Sequence, residues 1–256
     1  SRTVASATLS ASDSSIAPAT DIGFQSISGD TPGTSTSGFY FSPDEDFRIA
    51  IDYAWTFSAD ASGYLGLGFG IGEDADGQNS AGVSMLTFDG DPFLTFAGAA
   101  RVNDVNQSPK PVGFALSTLS GSLFIEYDSI AGDVIVGAAS TPNALNPTAS
   151  ATFDAIQKDW NGGPLMTSFF IRSQGPQSSD QWLGGEAEAA FSNFRVLQGT
   201  PVAIPEPSLL PVSLLICGLL FTRRRRERFV VVTLFPKALP EYPGVNHLSV
   251  SLAGAC

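Results

Sequence analysis

The run FRIAIDYAWTF, residues 47–57, restricts the possible folds of this 256-residue chain more than any other stretch. Phe47, Ile49, Ile51, Tyr53, Trp55 and Phe57 alternate strictly with Arg48, Ala50, Asp52, Ala54 and Thr56. Successive side chains of an extended chain point to opposite faces, so this spacing describes a half-buried strand. Shorter strand-like stretches recur at 64–71, 83–88, 93–100, 122–128, 133–138, 167–173 and 189–197. Gly, Asp, Asn, Ser and Pro separate them, as turns require. Helical periodicity is almost missing from residues 1–200. Eight or more strands without intervening helices predict an all-β antiparallel sandwich, jelly-roll or concanavalin-like, rather than a βαβ sheet. The segments 103–120 and 140–165 are polar and Pro-rich, and are expected to be long loops with one helical turn near 152–158.

YLGLGFGIG, residues 64–72, puts Gly66, Gly68, Gly70 and Gly72 on one face and Leu65, Leu67, Phe69 and Ile71 on the other. No helix follows that could present its N-terminus to a phosphate, so this is not a phosphate-binding glycine loop. It reads as a strand whose bare face lets a neighbouring layer or a large side chain approach closely.

Charge narrows the function. Residues 1–204 carry seven Lys and Arg against 22 Asp and Glu, a net of −15, whereas residues 205–256 carry six against three, a net of +3. A domain that acidic repels polyanions, which argues against nucleic acid as a partner. Cys217 and Cys256 are the only cysteines and His247 the only histidine. Residues 1–204 therefore hold neither a disulfide framework nor a Cys- or His-ligated metal site, and no His-based catalytic triad. Carboxylate chemistry and calcium remain.

Glu126 and Asp128 share one strand face about 7 Å apart. Glycoside hydrolysis needs two carboxyls about 5–9 Å apart across a sugar. They are the residues a carboxylate-dependent polysaccharide-degrading enzyme would use; the alternative is a solvated outer face. The loop Glu73-Asp74-Ala75-Asp76-Gly77-Gln78-Asn79 is rich in oxygen donors, and Glu73, Asp74, Asp76 and Asn79 form a candidate Ca²⁺ set. A solvated hairpin tip is the other reading. Asp89 and Asp91 form a weaker version, and Pro43-Asp44-Glu45-Asp46 reads as a charged turn. Trp160 and Trp182 stand in Gly-rich loops at sheet ends, where they either stack against a sugar or plug the core.

Beyond the sandwich, Leu209–Phe221 is an apolar run, about 20 Å long as a helix against a hydrocarbon core of about 30 Å. Arg223, Arg224, Arg225 and Arg226 follow it as a positive-inside stop. Pro205-Glu206-Pro207, an apolar run ending Cys217-Gly218-Leu219-Leu220, and then the arginines together resemble the PEP-CTERM sorting signal of bacterial surface proteins. That resemblance implies that the tripeptide is read by an exosortase-type membrane protease, which cleaves nearby and passes the protein to the envelope or exopolysaccharide matrix. It also makes this chain the protease's substrate rather than a catalyst. GEAEAAFSNFRVLQG, residues 185–199, is similar to the last strand of a laminin-G/concanavalin-like sandwich ending at such an anchor.

The expected organisation is a flexible mature N-terminus over 1–20, left by signal-peptide removal, and a β-sandwich over 21–199. A sorting signal over 200–228 follows, with a transmembrane helix at 208–222. Residues 229–256 run past the point where the family signal ends; FVVVTLF and three prolines there predict an unstructured tail appended by readthrough. The expected function is an exported cell-surface or extracellular-matrix protein, structural or glycan-binding, held in the inner membrane before release.

Overall fold

The 47–57 alternation folds as expected: Phe47, Ile49, Ile51, Tyr53 and Trp55 are buried, while Ala54 and Thr56 are exposed on the other face. The computed structural model describes residues 6–11, 21–57, 64–88, 94–116, 119–174 and 187–205. Among these, every named strand pairing is antiparallel.

One sheet has six strands. β4 (Phe47–Phe57) lies between β14 (Ala187–Gln198) and β10 (Ser120–Asp128). β1 (Ser6–Ala11) flanks β14; β11 (Asp133–Ala139) and β12 (Ala149–Phe153) continue beyond β10. The second sheet runs β2 (Asp21–Gln25), β13 (Met166–Gln174), β5 (Tyr64–Gly72), β6 (Ser80–Phe88), β7 (Leu94–Val102) and β8 (Val105–Asn106), with β9 (Lys110–Leu116) also on β7. A small ribbon joins β3 (Gly38–Tyr40) to β15 (Val202–Ile204).

The sheets bury one common core. Ile49, Ile51, Leu123, Ile125 and Val136 from the first cluster with Leu65, Leu67, Phe69, Val83 and Ile171 from the second. Each such side chain contributes about 1.5–3 kcal/mol by leaving water. The glycine face of β5 has the predicted use. The Phe170 ring lies across Gly68, and a Cβ there would meet its Cζ at 2.3 Å.

Three expectations need correction. The segments expected to be loops contain β9 and β12, and the helical turn is a 3₁₀ helix at Ile156–Asp159. Both strands sit at sheet edges, where polar residues and Pro111 are tolerated because one side of the ladder stays unpaired. Lys110 Nζ links the two edges by donating to the Thr152 carbonyl and pairing with Asp154 at 3.4 Å. Residues 6–11, expected to be part of a flexible lead, form β1, with Ser6 opposite Ser192 and Ala11 opposite Ala187. Paired strands also continue past 199 to Ile204. The chain divides into two units, Ser1–Pro207 and Ser208–Cys256, and the second lies outside the described residues.

Candidate functional site

Where β5 ends, Glu73 turns inward instead of out to water. It is 7% exposed. Its Oε1 accepts the Gly163 N–H at 2.6 Å, and its Oε2 accepts the Asn161 N–H and the Asn79 Nδ2, both at 2.9 Å. Asn79, also buried, accepts the Asn103 N–H on its Oδ1 at 2.7 Å. The Asp104 N–H donates to the Gln78 carbonyl at 2.9 Å, and Trp160 Nε1 donates to the Arg101 carbonyl at 3.1 Å. On the far side Ala75 N–H donates to the Asp30 carbonyl at 2.8 Å. One carboxylate thus ties together the segments 73–79, 102–105 and 160–164, with the 28–37 loop attached. Gly162, at φ +77, makes the turn that aims the flanking amides at Glu73. Above this base stand the exposed side chains of Asp76, Gln78, Asn103, Asp104 and Asn161.

This arrangement corrects the calcium expectation. Glu73 and Asn79 are buried with their oxygens on N–H donors, whereas Asp76 is exposed, so the four residues do not converge on one cation. Asp74 Oδ1 closes its own turn by accepting the Gln78 N–H at 3.1 Å, and Asp76 is exposed. No group of three or more His, Cys, Asp or Glu among the described residues could hold a metal ion. Trp160 is corrected too: it is buried in the main core cluster and plugs the sandwich end instead of offering a ring to a sugar. Trp182, Asp89 and Asp91 lie outside the described residues.

Glu126 and Asp128 lie on the outer face, as their alternation requires, but each has a structural partner. Glu126 is about half exposed and pairs with Arg48 Nε at 3.6 Å. Arg48 also donates to the Leu145 carbonyl and to Asn146 Oδ1, both at 3.1 Å. Asp128 Oδ1 caps the β10–β11 turn by accepting the N–H groups of Ile130 and Ala131 at 2.9 and 2.8 Å. The solvated-face reading describes both. Nearby, Asp46 accepts the backbone N–H and the hydroxyl of Ser129, which together hold its carboxyl below the usual range. Between these acids Tyr127 donates its hydroxyl to the Pro43 carbonyl at 2.8 Å. Burial, reinforced by Asp44, Asp128 and Asp46, pushes its phenol up to about 12.

A second polar centre stands at Asp52, a residue that alternation alone puts on a solvated face. This outward residue of β4 is 4% exposed. Its Oδ1 accepts Ser122 Oγ at 2.6 Å, an Arg195 guanidinium nitrogen at 2.9 Å and the Asn143 N–H at 3.1 Å; its Oδ2 accepts Asn193 Nδ2 at 2.9 Å. Asn143 and Asn193 both take left-handed backbone, at φ 60 and 51. Asn193 does so inside a β-bulge of β14. A small apolar cluster of Ala50, Phe124 and Ala139, joined by Ala144 and Leu197, packs on the same outer face. The one legible signal was an acid in mid-strand whose outward neighbours, Ala50 and Ala54, leave room for partners.

Of the sorting motif, Pro205 is exposed just beyond β15. Glu206, Pro207, the 208–222 segment, Arg223–Arg226 and the 229–256 tail lie outside the described residues. No helix among the described residues is long and apolar enough to cross a membrane.

No family model matches the chain, and no curated protein matches it in sequence. Solved structures do. A functionally unknown protein from Saccharomyces cerevisiae is 10% identical, covering 76% of this chain and 89% of its own at a TM-score of 0.45. An alginate lyase from Pseudomonas aeruginosa is 15% identical over 62% of this chain and 68% of its own, at 0.39. A Bacillus licheniformis β-glucanase is 10% identical over 63% and 68%, also at 0.39. At such identities and overlaps the likeness carries nothing about activity or substrate.

Proposed function

We propose that this chain is an exported, concanavalin-like β-sandwich of the cell surface or extracellular matrix, structural or glycan-binding. It reaches its destination through a C-terminal signal read by an exosortase-type membrane protease. The signal reading rests on the order Pro205-Glu206-Pro207, apolar run, Arg223–Arg226. The observation that supports a contact role is the loop end built on Glu73. There a fixed base presents amides and carboxylates, and its one cation, Arg101, is already paired to Asp104, chemistry suited to the hydroxyls of a neutral glycan and unsuited to polyanions. The signal segment, once inserted, holds the precursor in the inner membrane until cleavage.

Glu206→Ala tests the sorting reading. The full chain and the variant are produced in a host that carries such a protease, and membrane and released fractions are compared. Full-length precursor of the variant is expected to accumulate in the membrane while the native sequence is processed. Normal processing of the variant overturns the assignment.

A further inference from the structure

The β7–β8 hairpin carries a motif that the reading above leaves unused: Asp104-Val105-Asn106-Gln107-Ser108. Asn-x-Ser with x other than Pro is the acceptor pattern of N-linked glycosylation. The hydroxyl two residues after the Asn helps a transferase hold the acceptor amide. An acid two residues before it adds a charged handle that an arginine can grip. In the whole sequence Asn106 alone meets the pattern, because Asn146-Pro147-Thr148 has Pro between its Asn and Thr.

The structure presents this motif for capture. Val105 is 63% exposed at the hairpin tip, an apolar side chain with no role in the core, and Asn106, Ser108 and Pro109 are exposed as well. The side chains of Asn106 and Ser108 take part in no hydrogen bond or ion pair among the described residues. Asp104 is 67% exposed and is paired to Arg101. Asn103 and Asp104, at φ 49 and 69, form the two-residue turn that twists with the strands. β8 is two residues long and its ladder has only two rungs, Arg101 with Asn106 and Val102 with Val105. Among the described residues its other side is unpaired. The Gln107 N–H adds a bond to the Ala100 carbonyl and the Asp104 N–H one to Gln78, but Val105, Asn106, Ser108 and Pro109 stay exposed at the sheet edge, where an enzyme can take the stretch as an extended peptide.

We infer that Asn106 is a glycan attachment site, modified by an oligosaccharyltransferase that uses a polyprenyl-pyrophosphate-linked oligosaccharide. The Asn106 amide nitrogen forms a bond to the anomeric carbon of the first sugar. The bond from that carbon to the pyrophosphate oxygen breaks, the lipid pyrophosphate leaves with the electron pair, and one amide proton passes to solvent. In the cell this rests on the export reading, since such transferases work on the outer side of the membrane. The attached glycan would stand beside the loop end built on Glu73.

The test needs no export. The purified full chain is incubated with a bacterial single-subunit oligosaccharyltransferase and its lipid-linked oligosaccharide, with a known acceptor protein as control, and read by intact mass and peptide fragmentation. A single glycan on Asn106 is expected. Asn106→Gln and Ser108→Ala should abolish it, Ser108→Thr should keep it, and Asp104→Ala should slow it about tenfold, the worth of one charge-assisted contact. Unchanged melting of Asn106→Gln excludes misfolding as the cause of its loss. An unmodified chain beside a fully modified control overturns the proposal, as does a mass addition that survives Asn106→Gln. Neither result touches the Glu206→Ala outcome, so the two readings fail separately.

Discussion

Asp52 and Glu73 are both acidic side chains with almost no exposed surface, yet their oxygens are satisfied in different ways. Asp52 has a cation, Arg195, two further side-chain donors, Ser122 and Asn193, and the Asn143 N–H. Glu73 has no cation among the described residues; two backbone N–H groups and one side-chain amide surround it. An ion pair on a sheet face fastens one covering segment, the stretch around Asn143 and Ala144, to three rigid strands. Fixed N–H dipoles at a sandwich end do something else: they set the spacing of several loops without placing a cation on the Glu73 carboxylate itself. The first arrangement secures the fold, and the second shapes a surface.

The largest effect is expected at Asp52. Asp52→Ala leaves the half-buried Arg195 guanidinium without its carboxylate, and should cost about 3 kcal/mol in denaturant unfolding, the low end for a buried pair. Removing Arg195 as well, as Met, should recover part of that loss. If Asp52→Ala proves no worse than a surface substitution, the contrast collapses. Glu73→Gln should cost less, about 2–3 kcal/mol, because the new NH₂ must face a backbone donor. It should also speed hydrogen exchange at Asn103, Asn161 and Gly163, leave the strand amides protected, and weaken any neutral-glycan binding seen on an array. Faster exchange across both sheets would mean that Glu73 secures the fold after all. Adding calcium to that array should change nothing, since the loop residues do not converge on one cation. Glu126→Ala should be smallest, about 0.5 kcal/mol or less, because its pair with Arg48 is half solvated.

Period-2 alternation was enough to locate β4, β5, β6, β7, β10, β11, β13 and β14, because each has an apolar face against the core. β1, β9 and β12 lie at sheet edges and escaped; β12 does turn Ala149, Ala151 and Phe153 to the core, but five residues with two alanines on that face give too weak an alternation. β9 opens Lys110-Pro111, which reads as a loop until its partner β7 is known. The site was legible only as composition. Glu73 and Asn79 stood out as oxygen-rich, but what they bind is decided by Asn161, Gly163 and Asn103, far away in the chain. Asp52 was assigned to the correct face and given no role. Its partners Ser122, Asn143, Asn193 and Arg195 come from three distant segments that only the sheet order brings together.

The pairing of β1 with β14 also sets a clock. Ser6 faces Ser192, and in the other sheet Asp21 faces Arg172, so each sheet is finished by segments made far apart in time. At about 5–20 residues per second, the earliest strand waits on the order of ten seconds for its partner. Such long-range closure belongs to slowly folding topologies. Throughout that interval β1 and β2 lack their ladder partners, and their unpaired edges are what a holding chaperone would have to cover.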